Sequence, residues 1–126
     1  MNINWKTVIT GSVLAIILNF ILSFVTLGGI VGYLIATIYV GYTVGGGYRN
    51  GANHGAIVGV IEGIVAVTEI GFSAGGNQIK VDVGGDLVLF ALVLLIGIIF
   101  FGIMGAIGGV IGAFIKESGL SKESAA

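Results

Sequence analysis

Cysteine and proline are both missing from this 126-residue chain, and charge is scarce. Without cysteine there are no disulfides, thiolate metal sites, cysteine nucleophiles or palmitoyl anchors, although the redox compartment stays unread. Without proline, no apolar segment is broken by a residue that lacks its N–H. Charged residues make up 9% of the chain, against about 25% in an ordinary soluble domain. Five basic and six acidic side chains leave a net charge of −1, which offers no basic face for nucleic acid. One histidine and no cysteine give no ligand set for a metal within one chain.

What is present is apolar surface and glycine. Hydrophobic residues reach 56%, the mean hydropathy is +1.15, and 24 glycines lie mostly inside the hydrophobic segments. The length suits one domain. A soluble domain of this size has no interior large enough for so much apolar surface, so the implied solvent is lipid. Lys6 before the apolar run 8–27 loosely resembles a signal peptide. The run is too long for a normal signal core and no A-x-A site follows, so a retained helix is the better reading.

A spanning helix takes about 20 mostly apolar residues. Four segments qualify: 7–26, 27–46, 52–70 and 87–115, with a polar tail over 116–126 expected to be disordered. The fold class implied is all-α, an integral membrane four-helix bundle with glycine-mediated helix packing, in a single membrane domain over 1–126. The first two helices meet around Leu27, Gly28 and Gly29, where glycine accepts φ > 0. The second connection, GYRNGAN, is short and polar. The third, FSAGGNQIKVDVGGD, is the one loop of any size, and its alternation over 78–83 suggests a short strand. The fourth segment is longer than a span needs and is expected to tilt or to bend near Gly97 and Gly102. GGIVGYLI at 28–35 matches GGVIGAFI at 108–115, which shared packing chemistry explains more simply than duplication.

With four spans, Lys6, Arg49, Lys116 and Lys122 fall on the side of the termini and Lys80 alone on the other. The positive-inside rule then puts both termini in the cytoplasm, with Trp5, Tyr42 and Tyr48 at the same interface.

Small residues recur at helical spacing. Gly55, Gly59 and Gly63 stand four apart; Gly105, Gly109 and Ala113 form a line with Gly108 and Gly112 beside it; Gly28, Gly32 and Ala36 do so in the second segment. In lipid, such stripes let backbones approach and dispersion holds them. Plain bundle packing is the simpler reading, and a pore or partner surface the sharper one. The pattern leaves open whether the grooves meet within one chain or between copies.

The third segment carries two acids. At 100° per residue Glu62 and Glu69 share an arc with Gly55, Gly59 and Ala66, opposite Ile57, Val60, Ile64 and Val67. The acids are therefore expected to face inward and the branched residues to face lipid. Glu62 falls near mid-membrane, where a charge is costly, and no Lys or Arg lies within any span. Burial without a cation favours the neutral acid, so Glu62 is expected to be protonated or to face water. Rise arithmetic brings Asn19 and Thr37 within about one turn of its depth, with Tyr33 slightly further out. These four make the candidate intramembrane polar cluster. Intramembrane acids mark proton and cation pathways; a hydrogen-bonded acid that fixes helix register is the plainer alternative. Glu69, near the interface, reads as a solvated rim residue.

The loop 45–55, GGGYRNGANHG, lacks the Gly-Lys-Ser/Thr of a P-loop, and Asn50 replaces the last glycine of G-x-G-x-x-G. It leaves Arg49 and His54 as a possible lipid-headgroup contact at a helix start, or an interfacial turn capped by Asn50 or Asn53. No strand–turn–helix context supports Ser/His/Asp chemistry.

NINWK leading into the first helix, followed by IYVGYTVGGGYRNGANHGAIVG, resembles a set of small, glycine-rich, multi-pass membrane proteins, mostly archaeal, grouped as a domain of unknown function. The resemblance covers most of the chain and is most specific at 47–55. It implies the same topology and an archaeal plasma membrane, and no functional residue. Two functions remain: a structural or accessory subunit that self-associates or joins a larger membrane complex through its glycine faces, and a small channel or proton/cation-coupled transporter using Glu62. An enzyme is the least expected class, and no cofactor is expected.

Overall fold

The computed structural model describes residues 2–22, 24–25, 28–72 and 87–125, and the side chains of all of these except 28 and 69–72. Four helices fill them: α1 (Trp5–Leu22), α2 (Gly28–Val44), α3 (Tyr48–Phe72) and α4 (Leu87–Ala125). No strand occurs among the described residues. The strand expected over 78–83 lies outside them, as do the acids of that loop. Three helices, α1, α3 and α4, are long and apolar enough to cross a membrane, and α2 is a shorter apolar helix.

Each boundary has a local cause. Asn4 caps α1, its Oδ1 accepting from the N–H of Thr7, the usual service of an N-cap side chain. α1 ends at Leu22, earlier than expected, and Val25 closes a turn onto the Leu22 carbonyl. Gly28 and Gly29, expected in the turn, are instead the first residues of α2. The positive-φ glycines of the described chain are Gly45, Gly46 and Gly47, which reverse the chain between α2 and α3. α3 starts at Tyr48, and the carbonyl of Gly47 accepts from Asn50 and Gly51. Asn50 therefore sits inside the first turn rather than capping it, and its side chain donates back to the Gly45 carbonyl.

α4 is one unbroken helix, with no break at Gly97 or Gly102, and it runs on through the segment expected to be disordered. Its extension is anchored at its root. Lys116 Nζ donates to the Thr43 carbonyl at the end of α2 and lies 5.9 Å from the Tyr42 ring centroid. A cation there also suits the negative end of a helix. The next residue, Glu117, lies beside Tyr48 and raises its hydroxyl pKa, while the Tyr48 ring stacks on Phe114.

Contacts along the bundle set its register. Gly51 lies against Gly109, Gly55 against Gly105, Gly59 against Phe101 and Gly63 against Gly97, so α3 and α4 are antiparallel. Asn4 meets His54, and Gly11 approaches Val58, so α1 runs parallel to α3. Tyr33 reaches Phe101 and Thr37 lies on Gly108, so α2 runs parallel to α4. The N-terminus and the C-terminal helix thus share one end of the bundle, called here the terminal end. α1 packs on α2 and α3, and among the described residues it does not reach α4.

α3, with three neighbours, is the most enclosed helix. Val67, expected toward lipid, is buried against Gly97, and Ile57 packs on the Val8–Val40–Val58 cluster; Val60 and Ile64 do face outward.

Candidate functional site

The glycine stripes meet inside the chain. A Cβ on Gly55 would strike the carbonyl of Gly105, and one on Gly105 would strike the carbonyl of Gly55. Gly51 and Gly109 block each other in the same way, and a Cβ on Gly41 of α2 would also strike the Gly109 carbonyl. Gly63 opposes backbone of Gly97 and Ile98. α4 carries a second row beside the first: Gly108 receives Thr37, and Gly112 receives the backbone of Ile38 and Tyr42. Backbone-to-backbone approach of this kind places Cα–H groups against carbonyl oxygens, a weak but repeated attraction.

The Tyr33 hydroxyl passes between Gly59 and Gly105, where either glycine's Cβ would collide with it, and donates to the Phe101 carbonyl at 2.5 Å. Its ring sits edge-on to Phe101, in a cluster with Ala15 and Ala36. Glu62, one turn beyond Gly59 on α3, is 5% exposed and close enough to Tyr33 to act on it electrostatically.

The remaining residues of the expected cluster distribute differently. Pairing of Asn4 with His54 and Gly11 with Val58 puts Glu62 about level with Ala15 of α1. Asn19 stands roughly 6 Å beyond that level by helical rise, with its amide oxygen in the space left by Gly29. Thr37 lies on Gly108, and its hydroxyl donates within α2, to the carbonyls of Leu34 and Tyr33; its neighbour Ala36 packs with Ala15, the α1 residue at Glu62's level.

Ser12 was not singled out from the sequence, yet it is 7% exposed and its Oγ makes no hydrogen bond to the described residues. It sits within about one turn of Glu62's level on the buried face of α1. Its spacing of seven from Asn19 puts both on one helical face, a signal that was readable. Glu69's side chain lies outside the described ones.

At the terminal end the two headgroup candidates separate. Arg49 is exposed. His54 is fully buried, the largest such side chain among the described residues. Its Nε2 accepts from the backbone N–H of Asn4 at 2.9 Å, and its Nδ1 is 2.9 Å from the Asn50 carbonyl. A carbonyl only accepts, so Nδ1 carries the hydrogen and the ring is the neutral Nδ1–H tautomer. His54 therefore does not face the headgroups; both ring nitrogens are engaged inside the bundle. Among the described residues no three His, Asp or Glu side chains gather to hold a metal ion.

The segments that carried the resemblance, NINWK and GYRNGANHG, thus meet through Asn4, His54 and Asn50. No curated protein and no solved structure matches the chain. A family model does, over residues 5–115, from Trp5 at the head of α1 to the last residue before Lys116. That match takes in all four helices and the glycine seam, and the chain belongs to the family of unknown function DUF5518.

Proposed function

We propose that the protein is a multi-pass component of an archaeal plasma membrane with both termini cytoplasmic, and that its role is structural or accessory rather than catalytic. The observation that carries this is the use of the glycine faces within one chain: α2, α3 and α4 meet backbone to backbone along the line where a conduction path would otherwise run. That closure also changes the surface available to partners. Self-association or assembly into a larger complex uses the branched outer faces of α1 and α4, not the glycine grooves.

A second reading rests on Glu62. Its burial beside Tyr33, with Ser12 and Asn19 at neighbouring depths, supports a proton or cation site. Flux measurement separates the two. Liposomes holding wild type or Glu62→Gln are loaded with a pH-sensitive dye or a cation indicator and given a gradient. The structural role predicts that both match empty liposomes. Flux from wild type that is lost in Glu62→Gln replaces it with the transport reading.

A further inference from the structure

We propose that His54 is a proton-operated latch that fastens the N-terminal end of α1 to α3. The proposal rests on hydrogen-bond direction, independently of either functional reading above. The latch is closed only while Nε2 has a lone pair for the Asn4 N–H. A second proton on the ring turns both nitrogens into donors. Nδ1–H keeps its bond to the Asn50 carbonyl, but Nε2–H then points at another N–H. Facing donors with no acceptor between them are unstable; the ring end is fully buried and Asn4 is exposed, so the fixed partner is α3. The part that yields is the N-terminal segment, because α1 is held by α2 and α3 alone and the tether lies at its first turn. Asn4 is also the N-cap of α1, so its displacement frays that turn. The face uncovered begins with Thr7 and Val8 and continues to Gly11, Ser12 and Ala15.

Among the described residues no charged side chain is hydrogen-bonded to the ring. On α1 the nearest titratable side chain is Lys6, exposed; on α3 it is Arg49, exposed, with Glu62 two turns away. α2 offers only Tyr39 and Tyr42 at this end, both outward. On α4, Lys116 is held at Thr43 and Glu117 lies beside Tyr48. Because the second proton is what breaks the contact, the latch opens on acidification and closes as pH rises.

The chain suits a direct test, since it has one histidine and no cysteine. A nitroxide on Asn2→Cys reports the N-terminal segment in full-length protein in nanodiscs, and ¹⁵N-histidine NMR reads the ring of His54 alone. At neutral pH the ring is expected as neutral Nδ1–H and the label as constrained. Acidification raises the ratio of mobile to constrained label about tenfold, the scale of one lost hydrogen bond with a buried donor left facing another, at the same midpoint as the ring's titration. His54→Gln supplies an amide oxygen toward Asn4 and an amide N–H toward Asn50 without titrating, so its label stays constrained. Should that variant misfold, coincidence of the two wild-type midpoints decides. Ring titration without label release overturns the latch, as does an identical label response in His54→Gln or a ring that stays neutral throughout the folded range.

Discussion

The two hairpins of this bundle are held by different means. α3 and α4 touch through backbone: Gly51, Gly55, Gly59 and Gly63 face Gly109, Gly105, Phe101 and Gly97 with no side chain between most of them. α1 touches its neighbours mostly through side chains, with Val8 in a cluster with Val40 and Val58, Ala15 beside Tyr33 and Ala36, and Gly11 under a methyl group of Val40; its close backbone approach to α2 is at Leu18, which lies on Gly32. The hairpins differ in length too. α1 and α2 have 18 and 17 residues, α3 and α4 have 25 and 39. Tyr33 pairs with Phe101, so α2 starts about level with Ile96, and among the described residues those at 87–95 have α3 alone beside them. A backbone seam has no side chain that can move to relieve strain, whereas a side-chain seam has several. The α3–α4 pair is therefore the rigid unit, and α1 the helix best able to shift.

That contrast breaks most visibly at Gly109. Its missing Cβ leaves room for the Gly51 carbonyl of α3, and its own carbonyl fills the space left by Gly41 of α2. In Gly109→Ala the new methyl meets the Gly51 carbonyl, and only movement of a whole helix makes room. The expected loss is about 3 kcal/mol or more, the upper end for overpacking, read as a drop in thermal midpoint in detergent. A variant as stable as wild type would mean that the seam opens easily and that the two hairpins do not differ.

The helices themselves were legible because a run of about 20 apolar residues has few other uses. Their ends were not. Residues 116–125 read as a polar tail, but Lys116 at Thr43 and Glu117 at Tyr48 start them as helix, and both contacts come from other elements. The inward face of α3 was read correctly at Glu62 and the glycines. Its width was not, since a helical wheel cannot tell that α3 has three neighbours, and Val67 was assigned to lipid. His54 was unreadable in principle, because its partner is a backbone N–H, which every residue but proline has.

The same glycine-to-alanine change at Gly11 sharpens the comparison by probing the α1 seam. The first atom met is Cγ2 of Val40, with Val58 Cγ2 at ordinary contact distance. Val40 is stiff at χ1, so relief is partial, and α1 shifts slightly. A loss of roughly 1 kcal/mol is expected, the low end for overpacking, in the same thermal assay. A loss equal to that of Gly109→Ala would put α1 in the rigid unit. It would also undercut the mobility that the His54 latch requires.

Gly119 lies outside both seams, in the extension of α4, and nothing stands within 4 Å of where its Cβ would be. Alanine there adds no contact and removes none, so only the backbone preference acts. Glycine in a helix interior is less favourable than alanine by about 0.8–1.0 kcal/mol, and part of that is lost near a frayed end. Gly119→Ala is therefore expected to stabilise the extension by a few tenths of a kcal/mol to about 1 kcal/mol, with a small gain in far-UV helical signal. The global unfolding midpoint should hardly move, because residues 118–125 rest on neither α2 nor α3 through any hydrogen bond among the described residues. A gain in helical signal without a gain in midpoint separates the extension from the seam it grows out of. A fall in either would mean that Gly119 meets something beyond this chain, and that the far end of α4 is a contact surface.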